Sequence, residues 1–195
     1  MAVPRPKLTA QDYLAIERQA EYKSEFYRGE MFAMAGGTEN HADLGLALAS
    51  ILRARLAGLG CKVFNSDMKV RTGDTGLYTY PDVSVVCGKR QFAKGQREVL
   101  INPKLIIEVL SKSTEAKDRG FKFQLYKQIE SLEEYVLVSQ HEPLVERFGR
   151  PPHGAWSDYS EARGLEATLI LKSLDLALPL SEIYHEIEFD QPDNL

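Results

Sequence analysis

Two carboxylates stand in apolar stretches of the sequence, and both belong to the residue types that bind hard metal ions. Glu108 lies in the middle of the run LIIEVL, which indicates a strand that is buried on both faces. A glutamate is almost never fully buried unless it is paired or binds a metal. Asp82 follows Pro81 at the start of an apolar run, and proline is typical of a strand's first residue. Because consecutive strands are usually neighbours, we expect the two carboxylates to converge.

Two converging carboxylates with room for water predict a site for Mg²⁺ or Mn²⁺. The carbonyl oxygen of Val109 is a further candidate ligand at this site. A bound metal would supply the charge that permits the burial of Glu108. Two alternatives stay open: Glu108 pairs with a buried lysine or arginine, and Asp82 is only a polar residue after a proline turn.

The segment DRGFKFQLYK follows the Glu108 strand and carries polar groups at helical spacing. Asp118, Lys122 and Tyr126 stand at positions i, i+4 and i+8, so they share one helix face. We expect Lys122 to reach back toward the metal site. The alternatives are a solvated helix face for Lys122 and a packing role with a satisfied hydroxyl for Tyr126.

The composition is that of an ordinary globular protein, and we expect one domain over residues 1–195. The net charge is -4 at pH 7, which argues against a protein that coats nucleic acid by bulk electrostatics. No leader-like start is present, and the most apolar helical run, Leu44 to Leu52, is too short to cross a bilayer. Cys61 and Cys87 are expected to pack as small apolar residues rather than to form a disulfide, and the expected location is the cytoplasm.

Apolar periodicity and turn residues predict the elements that must position these side chains. We expect a mixed sheet with helices, in an α/β or α+β arrangement. The predicted helices are a capped N-terminal helix in TAQDYLAIERQ, a core helix from His41 to Leu59, a helix from Ser113 or Thr114 to about Glu130, and a terminal helix in LSEIYHEI. The predicted strands are a hairpin around Arg28-Gly29, then 61–71, 78–87, LIIEVL, EEYVLVSQ and LVERF, with a basic loop in GKRQFAKGQR.

The motifs together resemble a known nuclease family. Pro81-Asp82 followed by Glu108-Val109-Leu110 resembles the signature of the PD-(D/E)XK nuclease superfamily. The wider series resembles the Uma-type restriction endonuclease family, a former domain-of-unknown-function family, over nearly the whole chain. The motifs of this series are TAQDYLAIE, EFYRGEMFAMAG, His41, YPDVSVV, IIEVLSKST, the Asp118-Lys122-Tyr126 helix and LPLSEIY.

This resemblance implies a restriction-endonuclease-like core, in which a central mixed sheet is flanked by helices and preceded by an N-terminal helix and hairpin. It implies a Mg²⁺-dependent (or Mn²⁺-dependent) endonuclease acting on DNA, with Asp82 and Glu108 as metal ligands and a homodimer as the assembly. The superfamily lysine position is occupied by Leu110, and Lys122 matches the lysine that the family carries on the following helix. If Lys122 does not replace it, the protein is a nuclease-like shell that binds nucleic acid or a partner protein.

Several accessory residues follow from the same resemblance. Acids are expected beside the hairpin turn, where Glu30 is slightly preferred over Glu25, and His41 is a candidate for contacting phosphate or orienting a metal ligand. A basic loop joins the two acidic strands and is expected to grip the phosphates that neighbour the scissile bond. Its candidate nucleic-acid-binding residues, for which a merely solvated loop is the alternative, are Lys89, Arg90, Lys94 and Arg97.

Overall fold

The computed structural model describes residues 7–74 and 76–189. Its helical segments are α1 Ala10–Glu17, α2 Glu39–Arg55, α3 Glu115–Lys117, a π-helical turn Asp118–Lys122, α4 Phe123–Tyr126, a 3-10 turn Lys172–Leu174 and α5 Leu180–Ile183. Its strands are β1 Ser24–Tyr27, β2 Glu30–Ala33, β3 Cys61–Asn65, β4 Lys69–Arg71, β5 Tyr78–Thr79, β6 Val83–Cys87, β7 Phe92–Ala93, β8 Gln96–Leu100, β9 Leu105–Leu110, β10 Glu134–Ser139, β11 Leu144–Gly149, β12 Asp158–Arg163, β13 Thr168–Leu171 and β14 Leu176–Pro179. Over these ranges, no helix combines the length and the hydropathy needed to span a membrane.

The strands form two six-stranded sheets and a separate hairpin. The first sheet has the order β2-β1-β5-β4-β8-β7, the second has the order β12-β11-β10-β9-β6-β3, and β13 pairs with β14. The α/β class with a mixed sheet is confirmed, and the strands divide between two such sheets and a hairpin. A turn after Asn65 divides the predicted strand 61–71, since the Met68 amide donates to the Asn65 carbonyl at 3.1 Å, and the two halves join different sheets. Pro81, which cannot donate a ladder hydrogen bond, separates β5 from β6 in the same way.

The second sheet is mixed and carries helices on both faces. Strand β9 pairs in parallel with β10 and antiparallel with β6. One face packs against α2 through buried leucines that recur at helical spacing, Leu44, Leu48 and Leu52. The other face packs against α4, whose Phe123 and Tyr126 join the second apolar cluster. This sheet is therefore the rigid layer that holds the candidate site.

Several predicted elements are confirmed with shifted bounds. The Thr9 side chain and Asp12 form the capping box of α1, and β1 and β2 form the hairpin around Arg28-Gly29. Helix α2 begins and ends earlier than predicted, α5 is shorter, and the predicted helix after β9 contains a π-helical turn and ends near Tyr126. The stretch predicted as a basic loop contains β7 and the start of β8, because a turn with Gly95 at positive φ allows the two strands to pair.

The cysteine prediction is wrong, because Cys61 and Cys87 form a disulfide. The two residues are direct cross-strand partners in the antiparallel pair of β3 and β6. The sequence shows two strand-like contexts for the cysteines but does not show that these strands are neighbours in register. Pairing of the strands is what brings the sulfur atoms together.

Candidate active site

Strand pairing brings Asp82 and Glu108 together at one edge of the second sheet. Because β6 and β9 are antiparallel with Val83 opposite Ile107, the start of β6 meets the end of β9. The Val109 amide donates to Asp82 Oδ2 at 2.7 Å, and the Asp82 amide lies 3.4 Å from Glu108 Oε2. The predicted convergence of the two acidic strands is thus confirmed as geometry.

Glu108 points to the face that the helix after β9 covers. Side chains alternate along a strand, so Glu108 shares its face with Leu110, while Val109 points into the α2 side of the core. The Tyr126 hydroxyl donates to Glu108 Oε1 at 2.7 Å, and Lys122 Nζ lies 3.2 Å from the same oxygen. The buried-lysine partner that the sequence left open is therefore present beside the carboxylate.

Lys122 is the centre of a buried charge cluster. Its Nζ atom lies 3.2 Å from Glu25 Oε1, 3.2 Å from Glu108 Oε1 and 3.1 Å from Asp118 Oδ1, and the residue is only 6% exposed. Burial alone would lower the pKa of Lys122, but these three carboxylates raise it well above its ordinary value. Lys122 is consequently a fixed cation, suited to orienting a water molecule or a phosphate oxygen.

The π-helical turn determines how this cluster is built. Both ends of the turn are charged and buried, since Asp118 opens it and Lys122 closes it. The wider turn inserts one residue relative to an α-helix, and such insertions are frequent at functional sites. Asp118 Oδ1 is buried without a hydrogen bond of good geometry, although Lys122 Nζ lies 3.1 Å away. The ion pair still stabilises the Asp118 carboxylate, because attraction between charges tolerates poor alignment.

Glu25, rather than the slightly preferred Glu30, belongs to this cluster. Glu25 is buried, and it accepts hydrogen bonds from the Thr79 hydroxyl and from Lys117 Nζ. Burial raises the pKa of Glu25, but Lys122, Lys117 and Thr79 together bring it below its ordinary value. Glu30 is exposed at the turn end of β2, because the hairpin register places it two residues closer to the turn.

The two predicted metal ligands are electrostatically unlike ordinary surface acids. Burial raises the pKa of Glu108 to about 8, against the lowering effect of the Lys122 ammonium. Burial also raises the pKa of Asp82, and the nearby His41 partly offsets this. For both carboxylates the cost of burial outweighs the attraction of the nearby cations, and a divalent cation bound between them would offset that cost.

His41 stands beside Asp82 at the start of α2. Its Nε2 atom lies 3.5 Å from Asp82 Oδ2, and its amide donates to the capping hydroxyl of Thr38 at 3.3 Å. A Cβ atom on Gly37 would approach His41 Nδ1 to 2.7 Å, so a glycine is needed for this placement. The position lets His41 orient the Asp82 carboxylate or contact a phosphate in the groove.

These residues line one open groove of about 580 Å³. The β2–α2 loop forms one wall and the β9–α3 loop forms the other, with Glu25, Asp82, Glu108 and Lys122 between them. Sequence reasoning missed Gln140, which lines the groove and donates from Nε2 to the Leu110 carbonyl at 2.9 Å. The sequence feature that could have identified Gln140 is its position just after β10, because neighbouring parallel strands end at the same edge of a sheet.

The donor set fits a hard divalent cation that keeps several waters. Asp82 and Glu108 offer two adjacent carboxylates, Val109 lines the same groove, and the buried Asp118 oxygen has no well-aligned donor. Over residues 7–74 and 76–189, no group of three or more histidine, cysteine or acidic residues is arranged to hold a metal. A metal here would thus depend on two carboxylates, water and the main chain, with Lys122 as a competing cation.

The basic residues predicted to grip phosphates lie elsewhere. Lys89 and Arg90 follow β6, whose other end carries Asp82, and a five-residue strand spans roughly 16 Å. Lys94 and Arg97 belong to the adjoining β7–β8 hairpin, and none of these four residues lines the groove. Two different lysines, Lys112 and Lys117, do line it.

Comparisons with known proteins identify the family of this chain. The Uma2 family model, described as "Putative restriction endonuclease", matches residues 10–181. The uncharacterized protein slr1290 of Synechocystis sp. is 36% identical over 190 residues, which are 96% of this chain and 97% of that protein. The uncharacterized protein sll1609 of the same organism is 36% identical over 149 residues, which are 76% of this chain and 84% of that protein.

A solved structure gives the same fold. The crystal structure of a "putative nuclease belonging to DUF820" from Anabaena variabilis superposes with a TM-score of 0.72 and covers 91% of this chain and 97% of that one. The sequences of the two chains are 19% identical, so this likeness shows the fold and not the activity.

Proposed function

Because the chain belongs to the Uma2 family of restriction-endonuclease-like proteins, we propose that it is a metal-dependent endonuclease that hydrolyses phosphodiester bonds in DNA. The observation that carries the proposal is the meeting of Asp82 and Glu108 in one groove, with the Lys122 ammonium 3.2 Å from Glu108 Oε1. Two acids that can hold a metal, with a lysine beside them, can supply the groups that metal-assisted phosphodiester hydrolysis uses. We extend the proposal to a single nuclease domain over residues 1–195.

In this proposal, Asp82 and Glu108 hold Mg²⁺ or Mn²⁺, with the Val109 carbonyl as an additional ligand. When bound, the metal lowers the pKa of water and stabilises negative charge on the phosphate. Tyr126 fixes the rotamer of Glu108 through its hydroxyl hydrogen bond, and His41 orients Asp82 from the other side. Both ligands are thereby held in place before substrate arrives.

Lys122 takes the role of the lysine that the motif lacks. Leu110 stands on the Glu108 face of β9, yet it is packed in an apolar cluster with Ile106 and Phe123. Lys122 enters the same space from the helix and brings its ammonium within 3.2 Å of Glu108. As a fixed cation it orients the attacking water and attracts the scissile phosphate, rather than acting as a base.

A second candidate function is a nuclease-fold module with weak or lost catalysis that binds nucleic acid or a partner protein. Two observations favour it. The described part of the chain holds no cluster of three metal-binding side chains, and Lys122 forms an ion pair with Glu108 without a metal. Such a module would have lost its dependence on the two carboxylates.

The test is cleavage of supercoiled and linear DNA by the purified protein in Mg²⁺, Mn²⁺ or EDTA. Asp82→Asn and Glu108→Gln keep side-chain shape while removing negative charge, and Glu161→Gln on the exposed strand β12 is the matched control. The proposal expects nicking that needs the metal, disappears in both site variants and persists in the control. Equal inactivity of all four proteins, together with a calorimetric Mn²⁺ titration that shows no carboxylate-dependent binding, would favour the binding module.

A further inference from the structure

Three aromatic side chains form a row beside the groove. Phe32 is 42% exposed and Phe121 is 40% exposed, although both are large apolar residues. Tyr27 is half-buried, and its ring meets the Phe121 ring edge to face, with centroids 5.0 Å apart. We call Tyr27, Phe32 and Phe121 the aromatic row.

The hairpin register places this row against the proposed catalytic cluster. Arg28 and Gly29 both have positive φ, which forms a two-residue turn and fixes the pairing of β1 with β2. Phe32 is thereby the direct cross-strand partner of Glu25, and directly opposed residues share one face of a sheet. Since Glu25 contacts Lys117 and Lys122, the aromatic row and the charge cluster lie side by side.

Cations accompany the row. Lys117 Nζ lies 5.5 Å from the centre of the Phe32 ring and also contacts Glu25, so it belongs both to the row and to the groove. The Arg28 guanidinium lies 5.1 Å from the centre of the Tyr27 ring. One exposed acid, Glu30, stands opposite Tyr27. Exposed rings combined with lysine and arginine form the chemistry that binds a single nucleic-acid strand, since bases stack on rings while cations follow the phosphates.

We propose that the aromatic row is a stacking platform for unpaired bases next to the scissile phosphate, so that the substrate is a single DNA strand or DNA with an unpaired segment. This inference rests on the proposed nuclease function. Bases inside a duplex stack on one another and cannot lie flat on a side chain, whereas unpaired bases present both faces. Phe32 and Phe121 are the principal stacking residues, and Lys117 is the phosphate contact.

The test is fluorescence anisotropy with a labelled oligothymidine strand and with a duplex of the same length, in EDTA so that no cleavage occurs. We expect Phe32→Ala and Phe121→Ala each to weaken single-strand binding by about 5-fold to about 150-fold, the range for the loss of one stacked base. Duplex binding should change little. The matched control is Tyr159→Ala, which removes an aromatic side chain that is 53% exposed on β12, away from the groove. Far-ultraviolet circular dichroism checks that every variant is folded.

The outcomes separate this inference from the nuclease proposal. Wild-type protein that does not bind the oligothymidine, or aromatic-row variants that bind it as the control does, would overturn the platform. Single-strand binding that depends on Phe32 without any metal-dependent cleavage would support the platform and refute the nuclease. Cleavage that depends on Asp82 and is equal for duplex and single strand, with no effect of Phe32→Ala, would support the nuclease and refute the platform.

Discussion

Lys122→Met tests the charge cluster most directly, because one buried ammonium faces three buried carboxylates. Methionine keeps the length and apolar stem of lysine while it removes the charge. The Glu25, Glu108 and Asp118 side chains are 3% to 5% exposed, so solvent cannot replace the lost cation effectively. Removing one partner of a buried ion pair costs about 3 to 5 kcal/mol, because the remaining charge stays buried.

For a chain of this size, 1 kcal/mol corresponds to a change in melting temperature of roughly 2 to 4 °C. We therefore expect Lys122→Met to melt roughly 6 to 20 °C below the wild type in EDTA. Lys172→Met is the matched control, since the Lys172 side chain is 62% exposed and its ion pair with Asp158 contributes at most about 1 kcal/mol.

The effect of Mn²⁺ on the melting temperature tests whether Lys122 competes with a bound metal. If Asp82 and Glu108 bind Mn²⁺, removal of the competing ammonium should tighten binding, and saturating Mn²⁺ should raise the melting temperature of Lys122→Met more than that of the wild type. Differential scanning calorimetry of both proteins in EDTA and in Mn²⁺ measures all four values. A Lys122→Met protein as stable as the Lys172→Met control would refute the charge-cluster reasoning, and equal Mn²⁺ shifts would refute the competition.

Three further predictions concern stability and support of the site. Tyr126→Phe should lower the free energy of unfolding by about 1.5 to 3 kcal/mol in urea titrations, because Glu108 loses a buried hydrogen-bond donor. The same change should slow DNA nicking. An unchanged free energy of unfolding together with an unchanged nicking rate would contradict the role given to the hydroxyl. Dithiothreitol should lower the free energy of unfolding by about 3 to 4 kcal/mol, because reduction of the Cys61–Cys87 disulfide, which closes a loop over 26 residues, restores conformational entropy to the unfolded chain. The reagent should have no effect on the Cys87→Ser protein. Arg147→Met should cost about 3 to 5 kcal/mol in the same urea assay, because its partner Glu134 is buried with it, and it should not alter metal dependence. A loss below about 1 kcal/mol would contradict the role given to this ion pair.

The elements with strong local signals were predictable. The capping pair of Thr9 and Asp12, the Arg28-Gly29 turn and the leucine spacing of α2 all act between residues near in sequence. What failed required knowledge of which strands pair. The division of 61–71 between two sheets and the Cys61–Cys87 bond depend on contacts between distant segments, and no local propensity encodes them.

Some residues of the candidate site could likewise be predicted from local sequence, and others depend on contacts between distant segments. A charge inside LIIEVL and an acid after Pro81 are visible anomalies, so Glu108 and Asp82 could be selected from the sequence alone. Glu25 could not be ranked above Glu30, because the choice depends on hairpin register and on the face that meets Lys122. The basic residues of 88–97 were misplaced because strand direction was left out of the prediction. The loop leaves β6 after its last residue, whereas Asp82 stands before its first residue, so the loop lies at the end away from Asp82.

Leu110 shows why a missing motif residue does not by itself remove a chemical group from a site. A strand places residues 108 and 110 on one face, so a lysine at 110 and a lysine on the covering helix approach Glu108 through the same space. Leucine at 110 fills the apolar part of that space, and the π-helical turn leaves room for the buried ammonium of Lys122 beside Glu108. Two cations in this space would repel each other, so the leucine and the displaced lysine are complementary. The role proposed for Lys122 implies that Lys122→Met loses nicking. On this argument Leu110→Lys, made together with Lys122→Met, should recover part of that nicking, whereas the protein that carries Leu110→Lys alone should be less stable than the wild type.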